Sequence, residues 1–111
     1  MISGGLKTKV YILNIGGFDT HANQLTQHAN LWKTISEAVA TFQTDMDNQN
    51  LSDYISIMTY SEFGRRVNQN GTAGTDHGTA APMFFIGKTV RGGLIGPNPN
   101  LKSLDSNGDL K

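Results

Sequence analysis

The chain contains no cysteine, which excludes disulfides and thiolate metal sites and leaves the redox compartment undecided. It has no excess of either charge. Lys+Arg and Asp+Glu are both 9, so nothing electrostatic favours nucleic acid or an anionic membrane surface as a partner. No apolar run is long enough to span a bilayer, and Met1–Lys7 carries no signal-peptide pattern. Phosphate-loop, Gly-x-Gly-x-x-Gly and Gly-x-Ser-x-Gly strings are also missing, as is a histidine pair at helical spacing. These absences remove the motif-based readings of a nucleotide enzyme, a serine hydrolase and a helix-borne zinc protease.

Glycine, by contrast, is plentiful at 13 of 111 residues, against an ordinary share of about 7%. Most of the excess flanks polar clusters, where unusual backbone angles or close approach are needed. The first cluster is Gly16-Gly17-Phe18-Asp19-Thr20-His21, directly after the apolar run Val10–Ile15. The second is Ser61-Glu62-Phe63-Gly64-Arg65-Arg66, and the third is Thr75-Asp76-His77-Gly78. Two of the chain's three histidines thus stand beside aspartates in glycine-rich turns.

Residues 8–15 are rich in β-branched and aromatic side chains and predict a buried strand ended by Gly16-Gly17. Residues 26–48 predict a helix. Leu31, Trp32, Ile35, Ala38, Val39, Phe42 and Met46 recur at spacings of three and four, with Thr26 as N-cap and Asp47–Asn50 as stop. Residues 54–60 predict a second strand and 82–86 a third, separated by a long loop over 61–81. Strand, helix, strand in that order predicts a right-handed crossover, and hence an α/β fold with a partial parallel sheet. Ligands bind beyond the carboxyl ends of such strands, so Asp19, His21 and Glu62 should share one sheet edge, with His77 returning over it. One helix cannot cover both faces of a parallel sheet. The chain therefore reads as a single partial domain over 1–111, needing the rest of a larger domain or another chain to cover the sheet.

A carboxylate with neutral imidazoles is a donor set for zinc, or for manganese where oxygen donors dominate. Asp19, His21, Glu62 and His77 are the candidate ligands. Glu62 is alternatively a general base or the partner of Arg65 or Arg66. Those arginines offer a fork that fits a phosphate or sulfate oxygen pair. The plainer reading of Asp19-Thr20-His21 and Asp76-His77 is a pair of polar turns. His28, in register with Leu31, Trp32 and Ile35, reads as a packing residue.

Gly16–Gln24, Ser61–Arg65, Asn70-Gly71 with Gly74–Gly78, and Gly92-Gly93 with Gly96, in this order and spacing, closely resemble the domain-of-unknown-function 1501 family. That family looks like a distant branch of the alkaline phosphatase and sulfatase superfamily, and it is commonly exported from bacteria. The resemblance implies the C-terminal part of a three-layer α/β domain, located in the periplasm or beyond. It further implies a metal-assisted hydrolase site acting on an anionic phosphate or sulfate ester. Asp19, His21 and His77 resemble the ligands of one metal. Glu62-Phe63 stands where an Asp-His pair would hold a second, and Phe63 cannot ligate. Arg65 would orient the ester. The superfamily's nucleophile lies upstream of this region, so the chain alone should be inactive. The alternative is a non-catalytic exported binding protein on the same fold, which the missing imidazole at Phe63 supports.

Overall fold

The apolar stripe along the middle of the chain builds its one long helix, α1, over Gln24–Asn48. In this computed structural model, which describes residues 2–5 and 7–111, α1 begins two residues earlier than the spacing predicts. Thr26 does not cap it. Asn23, in the left-handed region at φ 46°, occupies the cap position without a side-chain bond. The free amides are taken instead by a distant loop, with Asn23 N donating to Thr72 O and Gln24 N to Ala73 O. At the far end Leu51 N donates to Met46 O, and Asn50 at φ 58° reverses the chain, close to the expected stop.

His28, Leu31, Trp32, Ile35, Val39 and Phe42 are half-buried along one side of α1, and Met46 is buried. Trp32 lies edge-on to Phe18 at 5.7 Å and to Phe84 at 5.3 Å, and its Nε1–H donates to His28 Nε2 at 3.2 Å. Each such aromatic pair contributes about 0.5–1.5 kcal/mol beyond its area. His28 is a packing residue, as its register implies. Through Phe18 this cluster fixes the residue next to Asp19, so helix packing reaches the candidate site.

The parallel sheet with its crossover helix does not form. Among the described residues, four two-residue strands make two antiparallel pairs: β1 (Ile57–Met58) with β4 (Phe85–Ile86), and β2 (Gly64–Arg65) with β3 (His77–Gly78). The fold is small, mixed and antiparallel, and the three-layer architecture implied by the resemblance falls with it. Residues 8–15 are not a strand, because no other described segment pairs with them. Their β-forming composition has nothing to pack on, and Leu13 is left 94% exposed. The expected strand over 54–60 contracts to β1, its start taken by a 3-10 turn over Ser52–Tyr54. Of 82–86 only β4 pairs. The segment 61–81 holds the β2–β3 ladder, so it is an ordered loop, and its register sets Arg65 opposite His77.

Met46 is the one buried apolar side chain among the described residues. The radius of gyration is 17.1 Å, against about 13 Å for a compact domain of this length. The polar loops are held largely by hydrogen bonds between segments remote in sequence. No helix among the described residues is long and apolar enough to cross a membrane.

Near the C-terminus, Asp105 Oδ1 accepts the amides of Asn107 at 2.8 Å and Asp109 at 3.0 Å, beside the Leu104–Leu110 bridge. The amides of Asp109 and Asn107 hold the Asp105 carboxyl below its ordinary value of 3.8. A depressed folded-state value stabilises the turn above the ordinary value, and that contribution is lost as pH falls through the folded one. The Asn107 and Asp109 amide resonances should therefore hold constant through neutral pH and move together only below about pH 3.8.

Candidate metal centre

Three backbone segments meet at the N-terminal end of α1. The turn 18–23 is tied to 72–75 by the Ala22–Ala73 bridge and by Thr75 N donating to Thr20 O at 3.4 Å. Thr20, only 2% exposed, shares the Gln24 amide with Thr75. Gln24 Nε2 donates to Thr20 Oγ1 at 2.8 Å and to Thr75 Oγ1 at 3.0 Å. Gly74 is where the two segments come closest. A β-carbon there would stand 2.6 Å from Ala22 N and closer still to the His21 carbonyl. β2 then brings in the third segment alongside β3.

Arg65 clamps all three. Its guanidinium donates to Phe18 O at 2.6 Å, to Thr75 O, and to Asp19 Oδ1 at 3.2 Å. The side chain is only 20% exposed. Most of its fork is thus committed to the protein, which makes it a clasp between the loops that also supplies positive charge beside Asp19.

Asp19 Oδ1 is the focus of the site. His77 Nε2 lies 2.7 Å from it and His21 Nε2 3.0 Å. The ligand atoms of Asp19, His21 and His77 all lie within 4.8 Å of one another. Zinc bonds of about 2.0–2.1 Å arranged as a tetrahedron set neighbouring donors roughly 3.3 Å apart. Carboxylate and imidazole nitrogens at this spacing therefore fit a divalent ion with small side-chain adjustments. The hydrogen bond from His77, with the charges of His21 and Arg65 adding to it, holds the Asp19 carboxyl below its ordinary value against partial desolvation. The group is exposed, so an ion or substrate can reach it.

The surrounding residues fix the imidazoles. Phe63 stacks face to face on His77, with ring centroids 4.0 Å apart and planes 6° from parallel. Arg65 covers the same Phe63 ring at 4.8 Å. The residue that cannot ligate thus sets the plane of one that can. His21 Nδ1 lies 3.2 Å from Asp76 Oδ1, which also accepts Asn70 Nδ2–H at 3.0 Å. Asn70, Phe63 and Asp76 stand inside the motifs that carry the family resemblance, but nothing in the sequence places them around the imidazoles.

Of the four candidate ligands the fold assembles Asp19, His21 and His77. Glu62 is exposed in the bend before β2 and stands outside that three-donor group. The shared position arises from the β2–β3 ladder and the Ala22–Ala73 bridge, with no sheet edge involved.

One family model, described as a protein of unknown function (DUF1501), matches residues 6–106. Among curated proteins and solved structures, none matches.

Proposed function

Because the chain belongs to the DUF1501 family of proteins of unknown function, its chemistry has to be read from its own side chains, and we propose that it binds one divalent metal ion through Asp19, His21 and His77. The observation that carries this is the convergence of one carboxylate and two imidazoles from segments remote in sequence. These three side chains also pair with one another through Asp19, and the ion would take the place of the protons they share. Asp19, His21 and His77 would hold the ion with three protein ligands, the number found at catalytic rather than structural zinc sites.

Held by these three residues, a zinc or manganese ion would supply Lewis acidity toward an oxygen of an anionic phosphate or sulfate ester. Asp19 carries the negative charge that binds the ion, and Arg65 places a positive charge beside that carboxylate. Phe63 and Asp76 hold the imidazoles ready. The donor set supports the ion, while the ester-hydrolase part of the reading rests on the family resemblance, since the fold lends it no parallel sheet. Glu62, free of the cluster and exposed, is proposed as the base or as an added ligand once an ion is present. Export remains part of the proposal through the family resemblance only.

A second reading is a metal-dependent anion-binding protein without turnover, favoured by Phe63 standing where a further ligand would be and by the commitment of Arg65 to backbone carbonyls. Calorimetric titration of inorganic phosphate into the zinc-loaded chain tests what both readings share. Phosphate should bind the loaded chain and not the metal-free one, and equal binding to both would remove the ion from anion recognition. The chain alone is expected to hydrolyse neither p-nitrophenyl phosphate nor p-nitrophenyl sulfate, so hydrolysis by it that disappears in Glu62→Gln, with zinc affinity kept, would select the catalytic reading and overturn that expectation.

A further inference from the structure

We infer that Asp76, itself held by Asn70, is a positioning residue that fixes which nitrogen of His21 faces the ion. The inference rests on the metal reading above. Asn70 sets the direction of the relay. Its Oδ1 accepts the amides of Thr72 and Gly74, each at 3.0 Å. With the oxygen so occupied, Nδ2 must point the other way, where it donates to His21 O at 2.9 Å and to Asp76 Oδ1 at 3.0 Å. One side chain thus ties the His21 backbone to the carboxylate facing the His21 ring.

An ionised carboxylate only accepts hydrogen bonds. The Asp76 oxygen 3.2 Å from His21 Nδ1 therefore requires the hydrogen of a neutral imidazole to sit on Nδ1. The lone pair is then on Nε2, which faces Asp19 Oδ1 at 3.0 Å. Two acceptors at that distance repel unless a cation lies between them, either a second ring proton or a metal ion. A carboxylate behind a ligating imidazole fixes its tautomer, orients the ring and raises its basicity. Asp76 stands in that position, on the side of the ring away from the three-donor group. His77, beside it in sequence, is oriented differently, by the face of Phe63. The Asp76-His77 pair thus works as one orienting group and one ligand, each acting on a different imidazole.

The test uses the full chain and zinc alone. Zinc affinity is measured by competition with a chromophoric chelator for the unsubstituted chain, Asp76→Ala and Asp76→Asn. In parallel, long-range proton–nitrogen correlation spectra read, in the zinc-loaded proteins, which His21 nitrogen keeps its hydrogen and which faces the ion. The unsubstituted chain should show the Nδ1–H tautomer. Asp76→Ala should lose it and bind zinc about 10–100-fold more weakly. Asp76→Asn, which keeps an accepting oxygen and the loop geometry, should retain the tautomer and recover much of the affinity. That recovery separates positioning from mere loop support. If the unsubstituted chain binds zinc and Asp76→Ala matches it within twofold with the tautomer unchanged, the positioning role is overturned while the metal site stands. If Asp76→Asn shows the Nε2–H tautomer, the role is likewise overturned. If the unsubstituted chain takes up no zinc, the metal reading itself falls and the inference with it.

Discussion

Gly74→Ala should abolish zinc binding, weakening it by at least about 100-fold, more than the loss of an orienting side chain would. The added methyl carbon would meet backbone, 2.6 Å from Ala22 N and nearer to the His21 carbonyl, where no rotamer change can relieve it. The turn that carries Asp19 and His21 must then part from the loop that carries Asp76 and His77. The helix-capping bonds from Asn23 N to Thr72 O and Gln24 N to Ala73 O lie on the same seam and would go with it. Gly71→Ala is the matched control, since nothing lies within 4 Å of a β-carbon at that position. Zinc titration of the two variants, with the amide fingerprint of residues 70–78, checks the expectation. A Gly74→Ala chain that binds zinc as the unsubstituted chain does would mean that the close approach is not needed for the site.

The second large effect is expected at Asp19. Its Oδ1 faces His77 Nε2, His21 Nε2 and the Arg65 guanidinium together. Asp19→Ala removes the only carboxylate of the donor set and leaves a guanidinium against two imidazoles. Like charges so close oppose the uptake of a cation, so the loss should exceed that from removing either imidazole, again at least about 100-fold. Asp19→Asn keeps the shape and an accepting oxygen but not the charge, and should lie between. Binding measured at low and at moderate ionic strength separates charge from ligation, because exposed charges are screened by salt and a lost ligand is not restored by it.

Of the four candidate donors read from the sequence, Asp19, His21 and His77 meet in the fold and Glu62 does not, and the frame that brings the three together was not legible. Asp19, His21 and His77 declare themselves by chemistry and by the glycines around them. Helix α1 declares itself by a spacing that depends only on its own residues. The strands depend on partners. Residues 8–15 have the composition of a buried strand, but composition measures fitness for a sheet that another segment must supply, and none of the described segments does. Gly64–Arg65 and His77–Gly78 are too short to show alternation, so the ladder that sets Arg65 opposite His77 leaves no trace in the sequence. Arg65 was legible as a cation; its attachment to the carbonyls of Phe18 and Thr75 depends on where those backbones run. Phe63 reads as a missing ligand in the sequence, and in the structure it is the surface on which the His77 ring rests.

Zinc titration of the full chain, alongside His77→Ala, is the most direct test of the account. A single ion per chain should bind the unsubstituted protein, and His77→Ala should retain Asp19 and His21 but bind at least about 100-fold more weakly. No uptake by the unsubstituted chain, or equal stoichiometry and affinity in His77→Ala, would contradict a centre built from Asp19, His21 and His77.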